Sequence, residues 1–504
     1  MAQYAISNWE DAKAVTKALK DLTALPIHSI NDEELKRVLS HFDTKCAKSK
    51  ELAKEAKNYI PGGVQHNLSF NYPFPVCFAK AEGAYLYDID GNKYIDFLQA
   101  GGPTVLGSNP EKVRAEVMKL LNTCGPVTGL LHESELLLAK EVNKHMPAVE
   151  MFRSLGSGTE AVMASLRIAR IATGKKHIIK IGGAYHGWSD QMVYGLKIPG
   201  SRFLLESHGI PKGAYKLTDE VRPNDLKMLE QMLKRNKLKG GTAAVILEPV
   251  GPESGTRPID FEYNHAVREL TKKYGALMIF DEVVTGFRVG LGGAQGYFEL
   301  TGEKAPDLTI FGKVIAGGYP AAGGVGGKKE YAGLMAAGVA TGKHRAYVGG
   351  TLAANPLSSF AGYLTIKEIE ATDACVKAGR AGDRLASGLK ELTKKYNLPY
   401  VVYNQGSIVH LESTGAMSYD FSSFSFIKSA LNILKHKSMI YERKNAMEQM
   451  GAAYMANGIV TLAGSRLYTS MADTDEVIDD ALSRFEAVFS TVVNTGKGLL
   501  GDKK

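Results

Sequence analysis

Five short apolar runs dominate the middle of the chain: "MFRSL" (151–155), "HIIKI" (177–181), "AAVILE" (243–248), "ALMIFDE" (276–282) and "DLTIF" (307–311). Helix-period patterns lie between them, as at 226–238 and 262–274. Such alternation predicts an α/β fold, a mostly parallel sheet with helices on both faces. Upstream, "GAYLYDIDGNKYIDF" (83–97) alternates aromatic and polar positions around Asp90-Gly91, the signature of a β-hairpin. Residues 1–58 read as polar, amphipathic helices, and "PGGVQHN" (61–67) breaks that pattern. Beyond about 361 the pattern loosens into helices and shorter strands, closing with a helix near 474–492. The expected division is an N-terminal helical extension (1–58), a first part of a small domain (59–109), a large domain (110–360) and a C-terminal small domain (361–504) that shares its sheet with the hairpin. The last residues, "GKGLLGDKK" (496–504), read as a frayed tail.

Composition narrows the function classes. The chain has 504 residues, 44% hydrophobic and 23% charged, enough for a large core and more than one domain. Cys46, Cys77, Cys124 and Cys375 lie far apart, and neither CxxC nor HExxH occurs, so no metal site is expected. This cysteine usage suits a reducing cytoplasm. No apolar stretch approaches the roughly 18 residues of a membrane span, and the N-terminus lacks the apolar core of a secretory signal. The net charge of +8 is spread among acids, without a nucleic-acid-binding motif. No nucleic-acid or membrane partner is therefore expected.

Ligands of open parallel sheets sit beyond the carboxyl ends of the strands, so the residues that follow each apolar run matter most. After 151–155 comes "GSGTEA", where Ser157, Gly158 and Thr159 precede a helix bearing Val162, Leu166 and Ala169 on one face. That is either a turn and cap or an anion site at a helix N-terminus. After 177–181 comes "GGAYHGWSD", with Tyr185, His186 and Trp188, either a core cluster or a platform for a flat ring. After 276–280 comes Asp281, a carboxylate needing a cation: a nearby arginine such as Arg288, or a protonated ring nitrogen. After 307–311 comes Lys313 in "IFGKVIAGG", either a snorkelling lysine or a buried amine able to form a Schiff base. One ligand uses all four features, pyridoxal 5′-phosphate.

The ordered set "YIPGGV", "GAYLYDIDGNKYIDF", "SGTEAVMASLRIAR", "AYHGWSD", "LEPV", "YGALMIFDEVVTGFRVG", "PDLTIFGKVIAGGYP" and "GGTLAANP" resembles the class III pyridoxal-phosphate aminotransferases of fold type I, and within them the glutamate-1-semialdehyde 2,1-aminomutase-like group. The resemblance covers about residues 52–490. It implies that Lys313 binds the cofactor aldehyde and moves the reaction's proton, and that Asp281 pairs with the ring nitrogen. Tyr185 would stack on the ring, Val283 would lie against its other face, and His186 would belong to the same platform. Ser157, Gly158 and Thr159 would hold the phosphate, and Glu248 would support Asp281. Thr351 would reach the phosphate of a neighbouring subunit, which implies a homodimer with shared sites.

The fold is compatible with an aminotransferase serving an amino donor and an oxo acceptor, an aminomutase, or a racemase. A pyridoxal-phosphate-binding regulator would need a DNA-binding segment, which is missing. "GLGGAQG" (290–296) has the wrong spacing and context for a dinucleotide fingerprint. Members resembling this chain often carry an arginine just after "PGGV" for a substrate carboxylate, whereas here the stretch reads "PGGVQHNLSFNYP". Arg288, Arg345 and Arg466 are the remaining candidates. The mutases also carry a glutamate before a stretch like "TSMADTDEVID", but no acid occurs here between Gly458 and Asp473. The residues alone therefore favour an aminotransferase over the mutase, with a racemase third.

Overall fold

The central apolar runs form strands because they can be buried on both faces, which only a covered parallel sheet permits. In the computed structural model, which describes residues 3–69, 71–200, 208–338, 344–422 and 426–495, the strands His177–Ile181, Thr242–Leu247, Leu277–Asp281 and Leu308–Gly312 are buried along their whole length. The tail expected at 496–504 lies outside the described residues. The seven-stranded sheet runs in the order Met151–Leu155, Gly323–Gly327, Leu308–Gly312, Leu277–Asp281, Thr242–Leu247, His177–Ile181, Thr218–Val221. Only Gly323–Gly327 is antiparallel to its neighbours, and the pairs among the other central strands are parallel.

Two of these strands carry no apolar signal. Gly323–Gly327, "GGVGG", is a poor strand former by propensity, yet it fills the slot between Met151–Leu155 and Leu308–Gly312. A Cβ on Gly326 would lie 2.2 Å from Val149 Cγ1, and one on Gly324 would lie 2.5 Å from the Phe152 ring. Glycine is there for room, and close packing overrides propensity. Thr218–Val221 is polar because it closes the sheet at an edge.

The chain divides into two compact units. The first comprises Glu111–Val376 and Asp420–Leu434 with the N-terminal residues through Ala5. It holds the large sheet. Its core joins Leu155, Val162, Leu166, Ile178, Ile246, Ile279 and Ile310. No helix among the described residues is long and apolar enough to cross a membrane.

The second unit comprises Ile6–Pro110, Lys377–Tyr419 and the chain from Lys435 onward. Its hairpin pairs Tyr85–Asp88 with Lys93–Asp96, and Asp88 closes the turn by accepting the N–H groups of Asp90 and Asn92. Ile459–Val460 adds to this sheet in parallel, Ile459 opposite Ile95, so both chain ends contribute to one sheet. The helices Ala12–Ala24, Asp32–Lys45 and Ala47–Ala56 precede the hairpin within this same unit. A strand not anticipated among them, His28–Ile30, pairs with Val492–Asn494.

Candidate active site

The order of the large sheet brings the carboxyl ends of Met151–Leu155, Leu308–Gly312, Leu277–Asp281, Thr242–Leu247 and His177–Ile181 to one edge. The residues singled out after each run therefore converge. Ser157 begins the Gly158–Thr173 helix as its N-cap, its Oγ accepting the Glu160 N–H at 3.2 Å. That hydroxyl still has its own proton to donate, and the first helical N–H groups point outward. The backbone of Ser157 is also bridged to Ala322, beside Gly323, which pairs with Gly312. A Cβ on Gly323 would stand 2.3 Å from Ser157 O, so this close approach needs glycine.

Val283 ties three of these segments together. A Cβ on Gly312 would lie 2.7 Å from Val283 Cγ1, and one on Gly158 would lie 3.0 Å from Val283 Cγ2. Thr159 lies against Gly187 in the same way, its Oγ1 2.4 Å from where a Cβ would be. The edge is thus packed around small residues.

Asp281 ends its strand almost fully buried. Its Oδ2 lies 2.7 Å from His186 Nδ1, and its Oδ1 accepts the Val283 N–H at 3.1 Å. The sequence left an arginine such as Arg288 as the alternative cation, but the structure places His186 there. A carboxylate can only accept, so Nδ1 carries the proton and Nε2 is bare. Nε2 is buried with no hydrogen-bond partner among the described residues. Burial holds the imidazole below its usual range, against the pull of Asp281. His186 is thus a neutral donor that braces Asp281 without cancelling its charge.

Tyr185 and Trp188 are 48% and 72% exposed, so the core-cluster reading of these aromatics does not hold; only His186 is interior. Tyr185 N–H donates to Glu248 Oε1 at 2.9 Å. The same carboxyl group receives the N–H groups of Glu253 and Ser254 at 2.9 and 2.7 Å. Those two residues hold left-handed φ angles of 53° and 55°, and Glu248 fixes that strained turn. Burial, then the nearby Glu253 and Asp281, pushes the Glu248 carboxyl up to about 8, against these N–H donors. Burial, with Glu253 and Asp281, also raises the Tyr185 phenol.

Lys313 follows the Leu308–Gly312 strand and starts the short helix Lys313–Ala316 with φ 51°. The sequence left open a snorkelling or a buried lysine, and the structure leaves it half-buried, because the strand ends at the open edge and the backbone turns there. A left-handed non-glycine residue at a site of convergence is held by its surroundings. Thr351 is exposed, and Gly350 beside it lies against the Glu160 carboxylate of its own chain. Among the candidate arginines, Arg288 is fully buried, Arg466 is buried in the Arg466–Tyr468 strand and Arg345 is exposed. The His186–Asp281 pairing and the Glu248 hub have no linear signature, since they join strand ends 95 and 63 residues apart.

The class-III aminotransferase family model matches residues 69–488. This chain belongs to the class III aminotransferases. A glutamate-1-semialdehyde 2,1-aminomutase of Methanocaldococcus jannaschii is 36% identical over 456 residues, spanning 88% of this chain and 98% of that one. Among solved structures, a transaminase with PLP bound is 25% identical, with a TM-score of 0.75, covering 88% of this class III chain and 97% of its own. A glutamate-1-semialdehyde aminomutase from Pseudomonas aeruginosa PAO1 in complex with PMP shares the fold at 20% identity and a TM-score of 0.77, covering 92% of this chain and 100% of that one. Class III enzymes have the fold type I architecture and use pyridoxal 5′-phosphate.

Proposed function

We propose that this chain is a pyridoxal-phosphate enzyme that moves an amino group within one small molecule, as a glutamate-1-semialdehyde 2,1-aminomutase does. The observation that carries the chemistry is the placement of Lys313, the His186-braced Asp281 and the Gly158–Thr173 N-terminus on one sheet edge. The named relatives weigh toward the intramolecular reaction, away from the aminotransferase that the residues alone favoured. The residues present fit the cofactor. The helix start offers N–H groups and hydroxyls to a phosphate, Asp281 retains a negative charge for a ring nitrogen, and the exposed Tyr185 offers a face to a ring.

Pyridoxal phosphate, when bound, supplies an electron sink for the carbanion formed at the substrate. The remaining work belongs to the chain. Asp281 would supply the negative charge that keeps a ring nitrogen protonated, and His186 Nδ1–H orients that carboxylate. Lys313 Nζ would hold the cofactor aldehyde, and the same amine would be the group that accepts and returns the proton at the reacting carbons. Tyr185, its backbone fixed by Glu248, would cover one ring face, and Val283 would lie against the other. Ser157, Gly158 and Thr159 anchor the phosphate. Thr351 serves a neighbouring subunit's phosphate in a homodimer.

An intermolecular aminotransferase is the second reading. It is favoured by the missing arginine after "PGGV" and by the absence of an acid between Gly458 and Asp473, groups that would help retain a mutase's released intermediate. Incubation with glutamate-1-semialdehyde alone separates the two. The proposal expects 5-aminolevulinate in many turnovers without an oxo-acid acceptor. Product only when a donor and an oxo acid are both supplied assigns the aminotransferase reaction instead.

A further inference from the structure

Lys180 is the one fully buried lysine among the described residues. It sits near the end of the His177–Ile181 strand, opposite Ile246 of the next strand. Moving an ammonium out of water is costly unless its three N–H donors are all satisfied. Here they point at three backbone carbonyls: Ala184 O at 3.3 Å, Met192 O at 3.1 Å and Tyr194 O at 2.5 Å. The Tyr194 ring centroid lies 4.9 Å from Nζ, close enough for a cation–π contact. The Tyr194 hydroxyl is tied in turn to Thr218 O at 2.9 Å.

The placement of these carbonyls is the informative part. Ala184 immediately precedes Tyr185 and His186, whereas Met192 and Tyr194 close the same excursion of chain. Above the backbone bridge between Gly183 and Gly195, one side chain therefore joins both arms of the loop that carries the ring platform and the Asp281 brace. The base of the loop is closed by Gly183 N–H to Gly195 O and Lys197 N–H to Gly183 O, and between them its backbone bonds are local: Ala184 N–H to Ile181 O, Met192 and Val193 N–H to Ser189 O, and Tyr194 N–H to Met192 O. A methionine would fill the same volume without donating, so the ammonium is there for its hydrogen bonds. Its charge also contributes, after burial, to keeping His186 neutral.

We propose that Lys180 is a positioning residue, a buried clamp that sets Tyr185 and His186 at the sheet edge. The proposal rests on the cofactor-facing role given to those two residues above. Amide hydrogen exchange on cofactor-free protein tests the clamp without relying on that role. In Lys180→Met, the amides of Tyr185 and of Met192–Tyr194 should exchange roughly a hundredfold faster, the factor expected for losing charged hydrogen bonds. The amides of Ala244–Leu247 should be unchanged. In loaded protein the visible circular dichroism of the cofactor should weaken, and its release should quicken roughly tenfold. Lys180→Gln, which keeps two N–H donors, should recover part of both effects.

Unchanged loop exchange in Lys180→Met overturns the clamp, and so does a uniform acceleration across the sheet, which would mark a merely structural lysine. If Lys180→Met does not accumulate folded, Lys180→Gln decides by the same comparison: faster exchange confined to the loop supports the clamp, and any other result overturns it. Wild-type protein that takes up no pyridoxal phosphate would overturn the proposed function while leaving the exchange result to stand on its own.

Discussion

Replacing Asp281 by asparagine removes one charge and changes almost no volume, so its consequences follow from hydrogen-bond directions. The wild-type carboxylate accepts from His186 Nδ1 at 2.7 Å and from Val283 N–H at 3.1 Å. An asparagine can accept only one of the two, because its amide nitrogen then faces the other donor. The relief available is a tautomer switch in His186, moving the proton to Nε2, which is buried without a partner. One unsatisfied buried donor costs about 1–3 kcal/mol. The variant should therefore fold, with stability lower by about that amount in urea titration. Loss of the charge that holds the ring nitrogen protonated is a larger effect on rate. Removal of one preorganised electrostatic partner typically lowers kcat by about 10²–10³. Turnover should be measured per loaded site, at saturating substrate, with cofactor content read from absorbance. Nitrogen-15 spectra of the histidines report the tautomer. Near wild-type turnover in fully loaded Asp281→Asn would refute the role of Asp281. A His186 proton still on Nδ1, with unaltered stability, would refute the geometry behind it.

Borohydride reduction of loaded protein, followed by peptide mapping, should place the cofactor label on Lys313; a label on another lysine sinks that assignment. Lys313→Ala should still bind cofactor through the helix N-terminus yet lose turnover. Glu248 has a folded value of about 8 against an ordinary 4.5, so its contribution to stability is complete below about pH 4.5 and is lost as the pH rises through about 8. His186, held below 6.5, acts oppositely: its contribution is intact above that value and is lost as the pH falls. Cofactor-free protein should then lose on the order of a few kcal/mol between about pH 5 and 8, and Glu248→Gln should flatten that slope in urea titrations across the range; an unaltered slope excludes Glu248 as its source. Sedimentation should show a homodimer at working concentration, with activity lost on dilution to monomer, and an active monomer would contradict the shared site.

Much of the large sheet was legible in the chain because its strands are buried on both faces. Continuous apolar runs such as 276–280 mark strands buried on both faces, and each was followed by a residue with chemistry to offer. Lys313, Asp281 and the Ser157–Thr159 cap were picked out as candidates in this way, since a lysine or a carboxylate closing an apolar strand is costly without a use. Local pattern could not show relations among residues far apart in sequence. "GGVGG" became a strand only because Val149, Phe152 and Asp307 leave no room for side chains there. Asp281 acquired a histidine, not an arginine, because the chain that follows His177–Ile181 reaches across the intervening Thr242–Leu247 strand to the end of Leu277–Asp281. Nothing in the local pattern around Lys180 shows that the fold encloses it among three carbonyls. The sequence by itself determined the buried central strands and which side chains are candidates for chemistry, because burial and periodicity act locally. Only the tertiary structure decided which groups meet, because hydrogen bonds and close packing depend on directions that arise when distant strand ends share one edge.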